Sequence, residues 1–273
     1  MRIHPTAIIH PDAQISEDVE IGPYVCVEGA AVIGEGCVLQ AHAILSGVVR
    51  MGKNNRIGYG AVIGAWPQDL SFKPERHSEV VIGDGNTIRE LCTIHRATAE
   101  GGATRLGNQN FLMAGAHLAH EVRVGNNVII ANNALLGGHV QVEDRVFIGG
   151  GCVFHQFIRI GRLAIVQGAS AFSKDIPPFM LAAERNTVAG LNIVGMRRAG
   201  LDAKERQEIK EAFKLLYKSS LNTTQALALA RKRAWSALGD EFFDFVAAAK
   251  KRGICDLLET ARGQPDADAA DAG

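Results

Sequence analysis

From Ile3 onward, every sixth residue is large and apolar: Ile9, Ile15, Ile21, Val27, Ile33, Leu39, Leu45, Met51, Ile57 and Ile63. The register lapses in the polar stretch after Trp66, resumes at Ile82, Ile88 and Ile94, and lapses again at HRATAEGGAT. It then runs from Leu106 through Leu112, Leu118, Val124, Ile130, Leu136, Val142, Ile148, Phe154 and Ile160 to Val166. Neither a helical period nor a simple alternation gives this spacing over such a length. The position four residues further on is small or apolar in most units, as at Ala7, Ala31, Cys37, Cys92, Ala116, Val128, Ala134 and Cys152. Each unit therefore supplies a short strand with two inward side chains and a tight corner. Glycines that follow the large residue, among them Gly34, Gly107, Gly137 and Gly161, are expected to ease that corner. Three units close one triangular coil of about 18 residues, and stacked coils pair as parallel strands roughly 4.8 Å apart. Cys37, Cys92 and Cys152 fall on inward positions, so they read as packing.

The pattern predicts an all-β parallel β-helix over residues 1–190, with loop excursions at about 65–81 and 95–105, followed by a small all-α domain over 191–262. In that domain Asp202 and Glu205 form a capping box ahead of a helix with Ile209, Phe213, Leu216 and Tyr217 on one face. A second helix is expected near Thr223, a third near Asp240, and a last turn from Cys255 to Arg262. Met180 and Leu181, after the prolines, are expected to pack against these helices, and residues 263–273 are expected to be disordered.

Charge narrows the function. Lysine plus arginine equals aspartate plus glutamate at 29 each, which argues against a chain-wide nucleic-acid or membrane-surface role. No apolar run nears the ~20 residues of a membrane span. Five cysteines, an odd number without a CxxC pair, point to a reducing cytoplasm rather than a disulfide framework.

Residues one coil apart should stack. His120, Gly138 and Gln156 are so spaced; His139 and His155 are their immediate neighbours, and His117 leads into the same corner. Four of the nine histidines thus gather at non-inward positions, where serine, threonine, asparagine or a charge would be ordinary. Imidazole is suited to taking a proton from a hydroxyl near neutral pH, Glu121 stands beside His120 to orient it, and a glycine turn presents a bare amide N–H to an oxyanion. The same residues also read as one polar surface, or as three histidines that hold zinc. Gln156 is a poor zinc ligand, which disfavours the metal reading.

The stretches IRELCTIHRAT, AGAHLAHEVRVGNNVIIANNALLGGHV and GGGCVFHQF closely resemble the hexapeptide-repeat UDP-N-acetylglucosamine acyltransferases that begin lipid A assembly, and the likeness continues into the C-terminal helices. That resemblance implies a left-handed coil, a cytoplasmic homotrimer with its site shared between subunits, and no cofactor or metal. It implies transfer of a 3-hydroxyacyl group from acyl carrier protein to the 3-hydroxyl of UDP-N-acetylglucosamine. On it His120 is the general base, Glu121 its partner and the Gly138 N–H the oxyanion donor. His117, His139, His155 and Gln156 line the pocket, and Gln68 and Asp69 of PQDL reach the sugar. Gly168 bounds the acyl chain, and Asn192 and Arg198 hold the nucleotide. The chain departs from the family at Glu121 for aspartate, Ser71 for lysine, Val194 for glutamate and Ala199 for arginine. Lys73 is a candidate to replace the lysine, and the acceptor sugar and acyl length stay open.

Other readings are an acyltransferase using an amino or otherwise modified UDP-sugar, a zinc hydratase of carbonic-anhydrase type, and a non-catalytic scaffold. Arg105, Arg123 and Arg159 share a column with Gln141. They read as solubilising charge in preference to a docking strip for the acidic carrier protein.

Overall fold

Most six-residue units fold as a two-residue strand followed by a four-residue corner, because only two side chains per unit are apolar and inward. The computed structural model describes residues 2–259. The strands stack in three sheets, one per face of a triangular prism, and every pairing is parallel except that of Met180–Ala183 with Thr187–Leu191. In chain order the first face is a sheet of twelve strands, the second of nine and the third of eight. The prism is a left-handed parallel β-helix. Register follows the sequence period, since His117 pairs with Leu135 and Leu135 with Val153. The interior is a column of fully buried aliphatic groups, including Ile57, Ile63, Ile88, Ile94, Leu112, Leu118 and Ile130, with Cys37, Cys92 and Cys152 among them.

The glycines after the large inward residues have a different purpose from the one expected. Gly34, Gly107, Gly137 and Gly161 do not take left-handed backbone angles. A Cβ on Gly107 would stand 2.4 Å from the Gly125 carbonyl oxygen, and one on Gly161 2.4 Å from the Pro178 nitrogen. They are glycine because successive coils approach too closely for a side chain. Left-handed angles fall two residues later, often on non-glycine residues such as Glu121 (φ 54), His139 (φ 60) and Phe157 (φ 68).

The interior carries one polar thread. Asn55, Asn86 and Asn110 are buried on the corner between the third and first faces. The Asn55 carboxamide oxygen accepts from the Asn86 N–H at 2.9 Å, Asn86 does the same for the Asn110 N–H at 2.9 Å, and Asn110 for the Val128 N–H at 2.8 Å. Asn86→Ala removes the acceptor of a buried N–H and is expected to destabilise the protein by about 2 kcal/mol. A lowered urea midpoint checks this, and an unchanged one contradicts it.

Both excursions leave the prism at the same corner, between the second and third faces. Residues 66–78 bridge the strands Val62–Ala65 and Glu79–Ile82, and residues 96–102 bridge Thr93–His95 and Ala103–Leu106. Past the prism, Met180–Ala183 pairs with the strand Ile165–Val166 and turns into Thr187–Leu191, so Met180 and Leu181 extend the first face rather than simply meeting helices. Helix α1 spans Ile193–Arg198, α2 Ala203–Phe213 with the Asp202–Glu205 capping box, α3 Thr223–Ala230 and α4 Ala237–Ala247. Helix α4 starts three residues ahead of Asp240, because the Ser236 side chain caps it by accepting the Leu238 N–H. After Cys255, where the expected turn begins, the chain forms a strand, Asp256–Leu257, paired with Thr187–Val188; residues 260–262 of that turn lie outside the described residues. The expected disordered tail, 263–273, lies outside the described residues.

Arg159 does not join a solvent strip. Its guanidinium makes two bonds to Asp175 (2.9 and 2.7 Å), donates to the Phe245 carbonyl at 2.9 Å and lies over the Phe245 ring. It fastens α4 to the prism, while Arg105 and Arg123 stay exposed.

Candidate active site

The corner that emits both excursions also carries the histidines. His120, Gly138 and Gln156 occupy equivalent places on three successive coils: the His139 N–H donates to the His120 carbonyl and the Phe157 N–H to the Gly138 carbonyl, both at 2.9 Å. His117 lies on the adjoining strand of the second face, and His155 opens the Gln156 corner. The His120 imidazole rests directly over Gly138. A Cβ there would stand 2.4 Å from His120 Cε1 and 2.6 Å from Nε2, so residue 138 has to be glycine if the ring is to occupy this place. Among the described residues the Gly138 N–H meets no backbone acceptor, whereas the Gly137 N–H bonds to Phe154 and the His139 N–H to His120.

His120 is largely enclosed, its side chain 12% exposed, with a carboxylate toward each ring nitrogen. Nδ1 lies 2.5 Å from Glu121 Oε2, and Nε2 4.0 Å from Asp69 Oδ2. A carboxylate on Nδ1 selects the tautomer with its proton there, which leaves Nε2 with a free lone pair. Glu121 reaches past the histidine into the second excursion. Its Oε1 accepts from the Thr98 N–H (2.6 Å), the Thr98 hydroxyl (2.7 Å) and the Ala99 N–H (3.0 Å). Burial works against its charge, but these donors and His120 outweigh it and hold the carboxyl below its usual range. The longer side chain that replaces the expected aspartate thus spans the gap between base and loop.

Asp69 descends from the first excursion. Ser71, not Lys73, reaches it: the Ser71 hydroxyl and N–H both donate to Asp69 Oδ1, at 2.6 and 2.7 Å, and lower its pKa. Gln68 stands exposed beside it.

Three neighbouring imidazoles, His95, His117 and His139, are pushed toward the neutral form. Burial, then the charge of His120, lowers His117, and burial lowers His139 against the pull of Glu121. His95, which the column spacing does not single out, is buried behind His117 with ring centroids 4.9 Å apart. Burial and the two neighbouring histidines drive its pKa down to about 4. His117 Nδ1 is paired with the Thr93 hydroxyl at 2.7 Å, and His139 stacks on Phe157 at 4.4 Å. Near neutral pH this wall offers hydrogen bonds without carrying several positive charges.

Ligand atoms of His120, Glu121 and His139 lie within 4.8 Å of one another, a grouping that differs from three histidines around zinc. The 2.5 Å spacing of His120 Nδ1 and Glu121 Oε2 is that of two atoms sharing a proton, closer than two donors at ~2.0–2.2 Å from one tetrahedral ion would stand.

Not every candidate residue gathers here. His155 is exposed, and its Nε2 lies 3.5 Å from the Arg252 guanidinium. Gly168 sits at the opposite edge of the second face, stacked over Gly150. Asn192 caps α1 by accepting the Gly195 N–H at 2.8 Å and donates to the Leu163 carbonyl at 2.8 Å. Leu163 lies on the corner between the third and first faces, so α1 and its exposed Arg198 are on a different prism edge from His120.

Residues 103–138 match the bacterial transferase hexapeptide family, and residues 175–255 match the second domain of the UDP-N-acetylglucosamine O-acyltransferases. The acyl-[acyl-carrier-protein]–UDP-N-acetylglucosamine O-acyltransferase of Burkholderia orbicola is 43% identical over 264 residues, 93% of this chain and 98% of that protein. The enzyme of the same name from Campylobacter concisus is 38% identical over 96% of this chain and 97% of its own. Among solved structures, the UDP-N-acetylglucosamine acyltransferase of Francisella novicida superposes with a TM-score of 0.91 at 34% identity, covering 99% of each chain. That of Bacteroides fragilis gives 0.88 at 41% identity, covering 92% of this chain and 99% of its own.

Proposed function

The chain belongs to the UDP-N-acetylglucosamine O-acyltransferase family, and we propose that His120 is the general base with which it moves a (3R)-3-hydroxyacyl group from acyl carrier protein to the 3-hydroxyl of UDP-N-acetylglucosamine. The observation that carries this reading is the pair of environments on one imidazole: Nδ1 engaged by Glu121, Nε2 facing a gap that Asp69 closes at 4.0 Å. A sugar hydroxyl in that gap donates its one proton to Nε2, and Asp69 accepts from a second donor of the same sugar. Nε2 takes its proton as the oxygen bonds to the thioester carbon, and the negative charge that forms on the carbonyl oxygen is met by the Gly138 N–H. The intermediate then collapses with loss of the C–S bond, and the imidazolium returns its proton to the departing thiolate. No step requires a metal or cofactor. The product is the first intermediate of lipid A assembly.

The surface supports a homotrimer. Outward residues of the second face include Ile44, Val62, Leu135 and Val153, and those of the first face include Phe111, Ile129, Phe147 and Ile165. The third face presents Arg105, Arg123 and Gln141 instead. Exposed apolar area on two adjoining faces marks an interface. Three prisms packed around the shared edge of those faces bury both, and they bring the His120 corner of one subunit against the α1 edge of its neighbour. Asn192 and Arg198 then join the site from the partner, which accounts for their separation from His120 within one chain. The second face becomes one wall of a groove from His120 toward Gly168, room for an acyl chain. Five free thiols and the absence, among the described residues, of a helix fit to cross a membrane accord with a cytoplasmic enzyme.

Subunit mixing tests the shared site. His120→Ala and Arg198→Ala chains co-assembled in equal amounts are expected to exceed the mean activity of the two parents, because about a quarter of random interfaces pair a native His120 with a native Arg198. A mixture that stays at that mean contradicts a site divided between subunits.

A further inference from the structure

Two carboxylates flank His120, and each is held by a hydroxyl and an amide of a single residue. Ser71 donates from its N–H (2.7 Å) and its hydroxyl (2.6 Å) to Asp69 Oδ1. Thr98 donates from its N–H (2.6 Å) and its hydroxyl (2.7 Å) to Glu121 Oε1. In both cases the clipped oxygen leaves its twin for the histidine: Glu121 Oε2 at Nδ1 and Asp69 Oδ2 toward Nε2. Ser71 belongs to the first excursion and Thr98 to the second, and both excursions spring from the corner that carries His120.

The excursions also support each other. The Arg96 N–H donates to the Ala65 carbonyl at 3.1 Å, and the Arg96 guanidinium lies 5.4 Å from the centre of the Phe72 ring. A Cβ on Gly47 would meet Arg96 Nη1 at 2.3 Å, so the side chain is seated close against the prism beneath the first loop. The arms that carry the two clips are therefore packed on one another and on the coil below.

We infer that Thr98 and Ser71 are positioning residues: Thr98 fixes the carboxylate that orients the base, and Ser71 fixes the carboxylate that holds the acceptor sugar in front of it. This rests on the assignment of His120 as general base and adds to it a division of labour between the two loops. A glutamate side chain has three rotatable bonds, and an aspartate in an exposed loop is free to turn away. Tying one oxygen of each by two bonds from the same residue removes that freedom before substrate arrives. Thr98 thus bears on the proton transfer itself, and Ser71 on how well the sugar is held.

The test is kcat and KM for UDP-N-acetylglucosamine as a function of pH in the full-length protein, for wild type, T98V, T98S, S71A, S71T and His120→Ala. Loss of one hydrogen bond to a charged group predicts that T98V lowers kcat about ten-fold with KM little changed, while S71A raises KM about ten-fold with kcat little changed. T98V also moves the acid limb of the kcat profile to higher pH, because the Thr98 hydroxyl helps to hold the Glu121 carboxyl below its usual range and its loss favours a proton on the His120–Glu121 pair. The other titratable or charged groups acting on that pair are Asp69, His95, His117 and His139, the last also sensing Arg123, and all are retained in these variants. T98S and S71T keep the hydroxyl and are expected to restore native values. Wild-type kinetics in T98V and S71A beside an inactive His120→Ala protein overturn the positioning roles alone, as do losses that T98S and S71T fail to repair. An active His120→Ala protein overturns the base assignment instead.

Discussion

Gly138→Ala lowers kcat about 10²-fold, the scale set by a misplacement of about 1 Å at a reacting centre, while leaving the protein folded. The backbone of Gly138 is outside the left-handed region, so alanine introduces no strain of its own. What it introduces is a methyl 2.4 Å from His120 Cε1 and 2.6 Å from Nε2. The ring is the part that gives way, and as it swings out it loses Glu121 at Nδ1 and its alignment with Asp69. The same methyl crowds the Gly138 N–H, so the proposed base and the proposed oxyanion donor are disturbed together. Steady-state kinetics beside a thermal melt checks this: a fall in kcat at an unchanged melting midpoint is expected. An alanine variant with more than half of native activity contradicts the contact.

The prism is legible in the sequence because its physics is periodic. An interior that admits two side chains per unit imposes apolar residues at fixed steps, and counting those steps gives the coils, the inward cysteines and the His120, Gly138, Gln156 column. Counting works there because no insertion interrupts the chain between Leu106 and Val166. The same count gives no reason for Gly107 or Gly161. Their sequence pattern is that of turn glycines, and only the spacing between coils explains them. Asn86 and Asn110 likewise look like lapses in the pattern, and only their bonds from coil to coil account for them.

The site is legible where it lies on the coil and obscure where it lies on the excursions. Nothing local in HRATAEGGAT marks Thr98 as the residue that grips Glu121, because that contact depends on where the loop returns. The sequence does carry one usable signal: both breaks in the register occur at the corner position that His120 occupies, two coils after the first break and one coil after the second. The period alone therefore puts both loops over the histidines. Against the family pattern Ser71 looks like a missing lysine, yet its short hydroxyl reaches Asp69 within two residues. Spacing puts Arg159 on a surface column and gives no sign that Asp175 and Phe245 fold back to enclose it.

The largest effect is expected at His120. If its imidazole removes the proton from the acceptor hydroxyl, His120→Ala takes away the one group at the corner with both a free nitrogen toward the gap and a carboxylate behind it. The neighbouring histidines are poor substitutes. His95 is buried, its pKa driven down to about 4, His117 is engaged by Thr93, and His139 stacks on Phe157. Water would have to serve as base in their place. The most direct measurement is therefore kcat for transfer from hydroxyacyl carrier protein to UDP-N-acetylglucosamine, at saturating acceptor, in wild type and His120→Ala. A fall of about 10²–10⁴-fold is predicted; a variant that keeps kcat within a few-fold of wild type contradicts the account.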